Sequence, residues 1–135
     1  MIYWFTGQPG HGKTTLALAL VKQLRRQGYA PFHIDGDDLR ELITNQDYSR
    51  QGREANIRRA QNIAQYLHAQ EEIVVVSFVS PYREIREELK SATEVTEIYV
   101  HTKEVRGKEN RHVKDFEAPL SRFIDLDTTN KNVPD

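Results

Sequence analysis

An α/β sandwich with a mostly parallel sheet of about five strands is the fold class that this sequence predicts, on three observations. Strand-like and helix-like runs alternate along the chain, the pattern that places helices against a parallel sheet. The first strand-like run is joined to the first helix-like run by a glycine-rich turn, Gly7-Gln8-Pro9-Gly10-His11-Gly12-Lys13-Thr14, with the spacing GxxxxGK[ST]. A later run, Ile73-Val74-Val75-Val76-Ser77-Phe78-Val79, is apolar continuously rather than alternately, as a parallel strand covered on both faces must be.

The elements follow in order. Residues 2–6 are the first strand. The helix from Lys13 to about Gln27 carries Leu16, Leu20 and Leu24 at helical spacing and stops at Gly28, a residue suited to the left-handed position past a helix end. Pro31 to Asp35 make a second strand that delivers Asp35-Gly36-Asp37-Asp38 at its carboxyl end, where α/β sheets place ligands. Leu39 to Ser49 read as a short helix and a polar loop. From Arg53 to Gln70, Ile57, Ala60, Ala64 and Leu67 recur at helical spacing. The run 73–79 is expected to be the central strand. Ser80-Pro81 then reads as an N-cap and a first helical position, opening a charged helix to Ala92. Val95 to Val100 and Arg122 to Leu126 are the remaining strands. Residues 101–121 are polar and irregular, and 127–135 read as a loose tail.

A chain of 135 residues fits one domain, 1–135. Its 19 basic and 20 acidic residues leave a net charge of -1, so no global field favours nucleic acid or an anionic membrane, and anion recognition has to be local. The absence of cysteine excludes a disulfide framework, a thiol nucleophile and a thiolate metal site. The chain opens directly on a strand, which makes a cytoplasmic location the expectation, and its apolar runs are too short to span a bilayer.

Each residue type in the glycine-rich turn has a chemical reason. Gly7, Gly10 and Gly12 allow successive amides to turn inward around a polyphosphate. Lys13 adds a mobile charge for the β- and γ-phosphates, the Thr14 hydroxyl is placed to ligand Mg²⁺, and the helix aims its positive end at the same anion. The alternative, a strand-to-helix turn that binds nothing, leaves Lys-Thr at this offset without a reason. The fold expectation thereby sharpens to a P-loop NTPase-like three-layer sandwich, with Gly7 through Thr15 around ATP.

P-loop enzymes commonly hold Mg²⁺ with an acid at a strand end, yet the run 73–79 continues into Ser80 with no carboxylate. Asp35 and Asp37 are the available suppliers, one for the metal side and one to accept the proton of an attacking hydroxyl. Their alternatives are a turn residue for Asp35 and an N-cap for Asp37; Asp38 is assigned no role. Arg40, Arg53, Arg58, Arg59, Arg83 and Arg86 are the store of forked cations suited to phosphate or sulfate. Ser80 has no histidine or lysine base beside it and is explained as a cap. The five histidines lack metal-ligand spacing and read as surface groups.

Four stretches, WFTGQPGHGKTT at 4–15, DGDDLR at 35–40, YSRQGREANIRR at 48–59 and SPYREIR at 80–86, are similar in order and spacing to the adenylylsulfate kinase family. Enzymes of that family phosphorylate the ribose 3′-hydroxyl of adenosine 5′-phosphosulfate using MgATP. The resemblance implies that Lys13 and the loop hold ATP, that Thr14 and Asp35 position Mg²⁺, and that Asp37 faces the acceptor hydroxyl. It places Arg40 at the phosphosulfate end and Tyr48 where the family usually has phenylalanine against the adenine. Arg53 and Asn56 become further substrate contacts, and Val79, Ser80, Pro81 and Tyr82 a pocket wall. Because family members are often dimers, it also implies a homodimer.

The last third departs from the family pattern. Lys114, Phe116 and Glu117-Ala118-Pro119 match the end of the family's lid and are expected on the substrate side, but its lysine-bearing helical piece and its closing helix have no counterpart here. Arg106, Arg111 or Lys114 would then supply the lid's cation, Arg106 on the nucleotide side. The shortened lid keeps two alternatives open: a kinase for another small alcohol or nucleoside, and a nucleotide-binding module without catalysis. It also predicts leakage of phosphoryl groups to water.

Overall fold

The computed structural model describes residues 1–43, 47–103 and 113–129. Among these, strands β1 (Ile2–Thr6), β2 (Phe32–Asp35), β3 (Val74–Phe78), β4 (Val95–His101) and β5 (Ile124–Asp127) alternate with helices α1 (Lys13–Arg26), α2 (Gly36–Ile43), α3 (Arg50–Ala69) and α4 (Arg83–Ala92). The strand order is β2-β3-β1-β4-β5 and every pairing is parallel. All carboxyl ends therefore open on one rim. The interior run at Val74–Phe78 is buried throughout, as its continuous apolar sequence requires. It lies between β2 and β1, however, and β1 takes the middle place.

Two hydrophobic clusters make the three layers. On one face Ala17, Val21 and Leu24 of α1 pack on Phe5, Val75, Ile98 and Val100. On the other, Leu39 of α2, Ile57, Ala60 and Ala64 of α3, and Ile85 and Leu89 of α4 cover Ile2, Trp4, Ile34, Val74, Val76 and Phe78. Alternate residues of each strand serve opposite layers, so the sheet is filled from both sides.

Several element boundaries differ from the sequence-based expectation for identifiable reasons. Helix α3 starts at Arg50 because the Ser49 hydroxyl accepts the Gly52 N–H at 3.2 Å, an N-cap three residues earlier than expected. Helix α2 starts at Gly36, and Asp35 takes the capping position by accepting the Asp38 N–H at 3.3 Å. Ser80 does not cap α4. That helix begins at Arg83, whose N–H is met instead by Glu117 Oε1 at 2.9 Å. Strand β5 starts two residues later than the expected Arg122 and ends one residue later than Leu126. Residues 127–129 are not tail: Asp127 ends β5, and buried Thr128 donates to the carbonyl of His11 at 3.0 Å.

A buried ion network joins α4 to β4. Arg86 and Lys90 meet the two carboxylate oxygens of Glu97 at 3.0 and 2.7 Å, with all three side chains nearly inaccessible. Burial pulls the Arg86 pKa below the ordinary guanidinium value, against the opposing pull of Glu97. The remaining donors of Arg86 go to the carbonyls of Ser80, at 2.6 Å, and Glu117. A segment far along the chain is thus fastened to the loop after β3.

Candidate active site

The loops leaving β1, β2 and β3 converge at the shared rim and enclose a cleft of about 800 Å³. Its floor is the glycine-rich turn. Gly10 and Gly12 have φ of 83° and 100°, left-handed conformations that fold the loop back before α1 begins. Gly12 stands at the N-cap of α1 and no side chain caps that helix. The α1 terminus therefore borders the cleft with no side-chain cap and no acidic residue in its own first turn, an arrangement suited to an anion. Pro9, Gly10, Gly12, Lys13, Thr14 and Thr15 all line this floor.

Three residues of the same motif do other work. Gly7 has no room for a side chain, because an added Cβ would collide with the Val100 carbonyl oxygen of β4. The Gln8 carboxamide faces the backbone of Val113, donating to its carbonyl at 2.8 Å and accepting its N–H at 2.9 Å. His11 is buried at 8% exposure rather than on the surface, and its carbonyl holds Thr128. His33, His68 and His101 are partly exposed, so among the described histidines His11 is the one that departs from the expected surface position.

The end of β2 brings one carboxylate to the glycine-rich turn. Thr14 Oγ1 donates to Asp35 Oδ1 at 3.2 Å, so the carboxylate reaches the cleft through a hydroxyl that lines it, while Asp35 itself is not part of the lining. Two hard oxygen donors beside a phosphate-binding turn suit Mg²⁺, which keeps most of its waters and needs one or two carboxylates. Among the described residues no group of three or more histidine, cysteine, aspartate or glutamate side chains is placed to hold a metal. Asp37, the other acid of the pair, lines the cleft itself.

The wall opposite the turn is built by α2, the loop before α3, and α3. Arg40 lies 4.4 Å over the Tyr48 ring and donates to the Asp47 carbonyl at 3.1 Å, so cation and ring are presented together. Arg53 lines the same wall, 3.9 Å from Asp115. Asn56 is 1% exposed, and among the described residues its carboxamide oxygen and nitrogen have no hydrogen-bond partner. A buried amide with both groups unmet is costly unless something in the cleft meets them.

Val79, Ser80 and Pro81 close the third side. Ser80 has φ of 42°, and its hydroxyl accepts the Trp4 indole N–H at 2.9 Å. That bond, with the Arg86 contact to its carbonyl, over-determines a backbone that a serine seldom adopts. Lys114 and Phe116 do not line the cleft: Lys114 is exposed, and Phe116 stacks on Tyr99 at 5.9 Å with Arg86 over its ring. Of the other arginines, Arg58 pairs with Glu88, and Arg83 holds Glu117 and Ala118. Arg106 and Arg111 lie outside the described residues.

Gly36, Ile57, Phe78 and Val113 also line the cleft without having been singled out by sequence. Ile57 and Phe78 sit at apolar positions indistinguishable from core. Val113 is brought in by Gln8, a contact 105 residues apart that no local pattern signals. Ser77 and His33 were missed as well: Ser77 Oγ donates to Asp35 Oδ1 at 2.9 Å, and His33 Nε2 lies 3.0 Å from the same hydroxyl. Burial lowers the His33 pKa, outweighing the nearby Asp35 and Asp38.

A family model described as adenylylsulphate kinase matches residues 1–118. An adenylyl-sulfate kinase of Chloroflexus aurantiacus is 45% identical over 102 residues, covering 74% of this chain and 55% of that protein. One of Vibrio cholerae is 34% identical over 154 residues, covering 98% of this chain and 72% of its own. The solved structure of Mycobacterium tuberculosis APS kinase CysC in complex with AMPPNP and APS superimposes with a TM-score of 0.81 over 93% of this chain and 87% of that one. At 23% identity that likeness is one of fold. The chain spans about half the length of several curated relatives it matches, 55%, 52% and 52% for three of them. Among the described residues, no helix is long and apolar enough to cross a membrane.

Proposed function

Because the chain belongs to the adenylylsulphate kinase family, we propose that it transfers the γ-phosphoryl group of ATP to the ribose 3′-hydroxyl of adenosine 5′-phosphosulfate. The observation that carries this is the contact of Asp35, at 3.2 Å, with Thr14 on the floor of a cleft whose opposite wall presents Arg40, Tyr48, Arg53 and Asn56. One side suits a metal-bound polyphosphate and the other an anionic aryl nucleotide.

Lys13 and the turn amides hold the phosphates against the α1 terminus. Thr14 and Asp35 would hold Mg²⁺, and the chemistry it would supply there is neutralisation of phosphate charge. Asp37 accepts the proton as the 3′-oxygen forms its bond to the γ-phosphorus and the bridging oxygen leaves on ADP. Arg40 and Arg53 bind the phosphosulfate end, the Tyr48 ring lies against the adenine, and the Asn56 amide meets polar atoms of the acceptor. Transfer of this kind is accelerated by positioning and charge stabilisation more than by covalent chemistry. A homodimer belongs to the same reading and is tested by light scattering.

Incubation with MgATP and adenosine 5′-phosphosulfate is expected to give the 3′-phosphorylated product. Turnover with a polyol or nucleoside but none with the sulfonucleotide would transfer the reading to another acceptor. A thermal shift with MgATP and no product from any acceptor would leave a nucleotide-binding module. Release of ADP in excess of phosphorylated product measures leakage to water, and a ratio of one refutes the leakage expected of a shortened lid.

A further inference from the structure

P-loop enzymes commonly hold their metal-side acid on the strand beside the loop, and here that strand end carries Ser77. Parallel pairing sets Asp35 of β2 opposite Ser77 of β3, and the two-residue repeat of a strand puts His33 on the same face as Asp35. The result is a line of contacts from the sheet toward the cleft: His33 Nε2 to Ser77 Oγ at 3.0 Å, Ser77 Oγ to Asp35 Oδ1 at 2.9 Å, and Thr14 Oγ1 to the same Oδ1 at 3.2 Å. Asp35 Oδ2 accepts the Asp38 N–H at 3.3 Å.

The donor directions along this line are fixed by counting protons. A hydroxyl has one, and Ser77 gives its proton to the carboxylate, which can only accept. His33 Nε2 must then donate to Ser77, which selects the Nε2–H form of the ring. Ser77 is 1% exposed, so water does not compete for its hydroxyl. The carboxylate of Asp35 is therefore locked at both oxygens before any ligand arrives.

We propose that His33 and Ser77 are positioning residues that orient Asp35 toward the metal side of the cleft. The inference rests on the assignment of Asp35 to Mg²⁺ made above. It differs from a plain packing role, in which Ser77 would merely satisfy a half-buried histidine. Partners that orient a ligating carboxylate are worth about 10- to 100-fold in metal affinity or activity when removed.

The test is ADP affinity measured calorimetrically with and without Mg²⁺. In the unaltered protein Mg²⁺ should tighten ADP binding. Ser77→Ala and His33→Leu should each reduce that gain about tenfold while leaving metal-free ADP affinity unchanged, and His33→Gln, which keeps a donor, should restore most of it. An undiminished gain in both variants, or no gain in the unaltered protein, overturns the proposal. Long-range ¹H–¹⁵N correlation on the unaltered protein gives a second readout that needs no variant to fold: a proton on His33 Nε2 is expected, and one on Nδ1 alone refutes the line of contacts. A Mg²⁺ gain lost in the variants, with no phosphorylated product from the unaltered protein, sinks the kinase reading and leaves this one standing.

Discussion

Asn56 sets the problem at the scale of the residue. A carboxamide at 1% exposure, without a partner among the described residues, is held at a cost to the ligand-free fold. Asn56→Leu should therefore raise the stability of the ligand-free protein by about 1 kcal/mol, read from thermal unfolding, while raising the acceptor KM at least about tenfold. A loss of stability would mean that the amide is satisfied within the fold. Lys13→Ala should abolish the thermal shift given by MgATP, and persistence of that shift would remove the phosphate-binding assignment of the turn. The sequence pointed to Asp35 and Thr14 because chemistry restricts which residue types can sit there. It did not show that the backbone of Ser80, a wall residue implied by the resemblance, is strained, since the Trp4 indole that holds it lies 76 positions away.

At the scale of the element, strands and helix faces could be read from periodicity, because burial on one side or both leaves a pattern in consecutive residues. Starts were harder. Helix α3 could have been placed from Ser49 alone, a local cap. Helix α4 could not, since its cap arrives from Glu117, 34 residues on. The same segment is tied to the turn by Gln8, so Gln8→Ala should speed amide exchange at Val113 by about thirtyfold, as loss of two hydrogen bonds worth roughly 1 kcal/mol each requires. Unchanged exchange at Val113 would show that the segment is held elsewhere. Arg86→Met removes one partner of a buried pair and should cost about 3 kcal/mol in denaturant unfolding, at the low end for such a break because Lys90 still meets Glu97.

For the whole molecule, the parallel order β2-β3-β1-β4-β5 made the site possible by gathering three strand ends on one rim. Alternating strand and helix signals foretold that much. Sequence alone makes residues 101–121 an irregular stretch, whereas residues 113–118 are fastened to β1's turn, to α3 through Asp115, and to α4. Non-local fastening leaves no periodic trace. On the outer side of β4, Tyr99 packs among His101, Phe116 and Phe123, and burial, aided by Asp125, raises its pKa above the ordinary value of about 10. The unfolded chain then loses this proton first, so stability is full below pH 10 and falls as pH rises beyond it. Tyr99→Phe should flatten that alkaline decline in unfolding experiments; an unaltered slope would assign it to another group.

The crowding of Gly7 against the Val100 carbonyl has a consequence for any mutational scan of this turn. Every replacement at position 7 should deplete the protein itself, visible as lost abundance even when no catalysis is selected for. Replacements at Lys13 should spare abundance and remove only nucleotide-dependent signal. A scan scored on growth alone would merge the two and credit the first glycine with a chemical duty that belongs to the joint between β1 and β4.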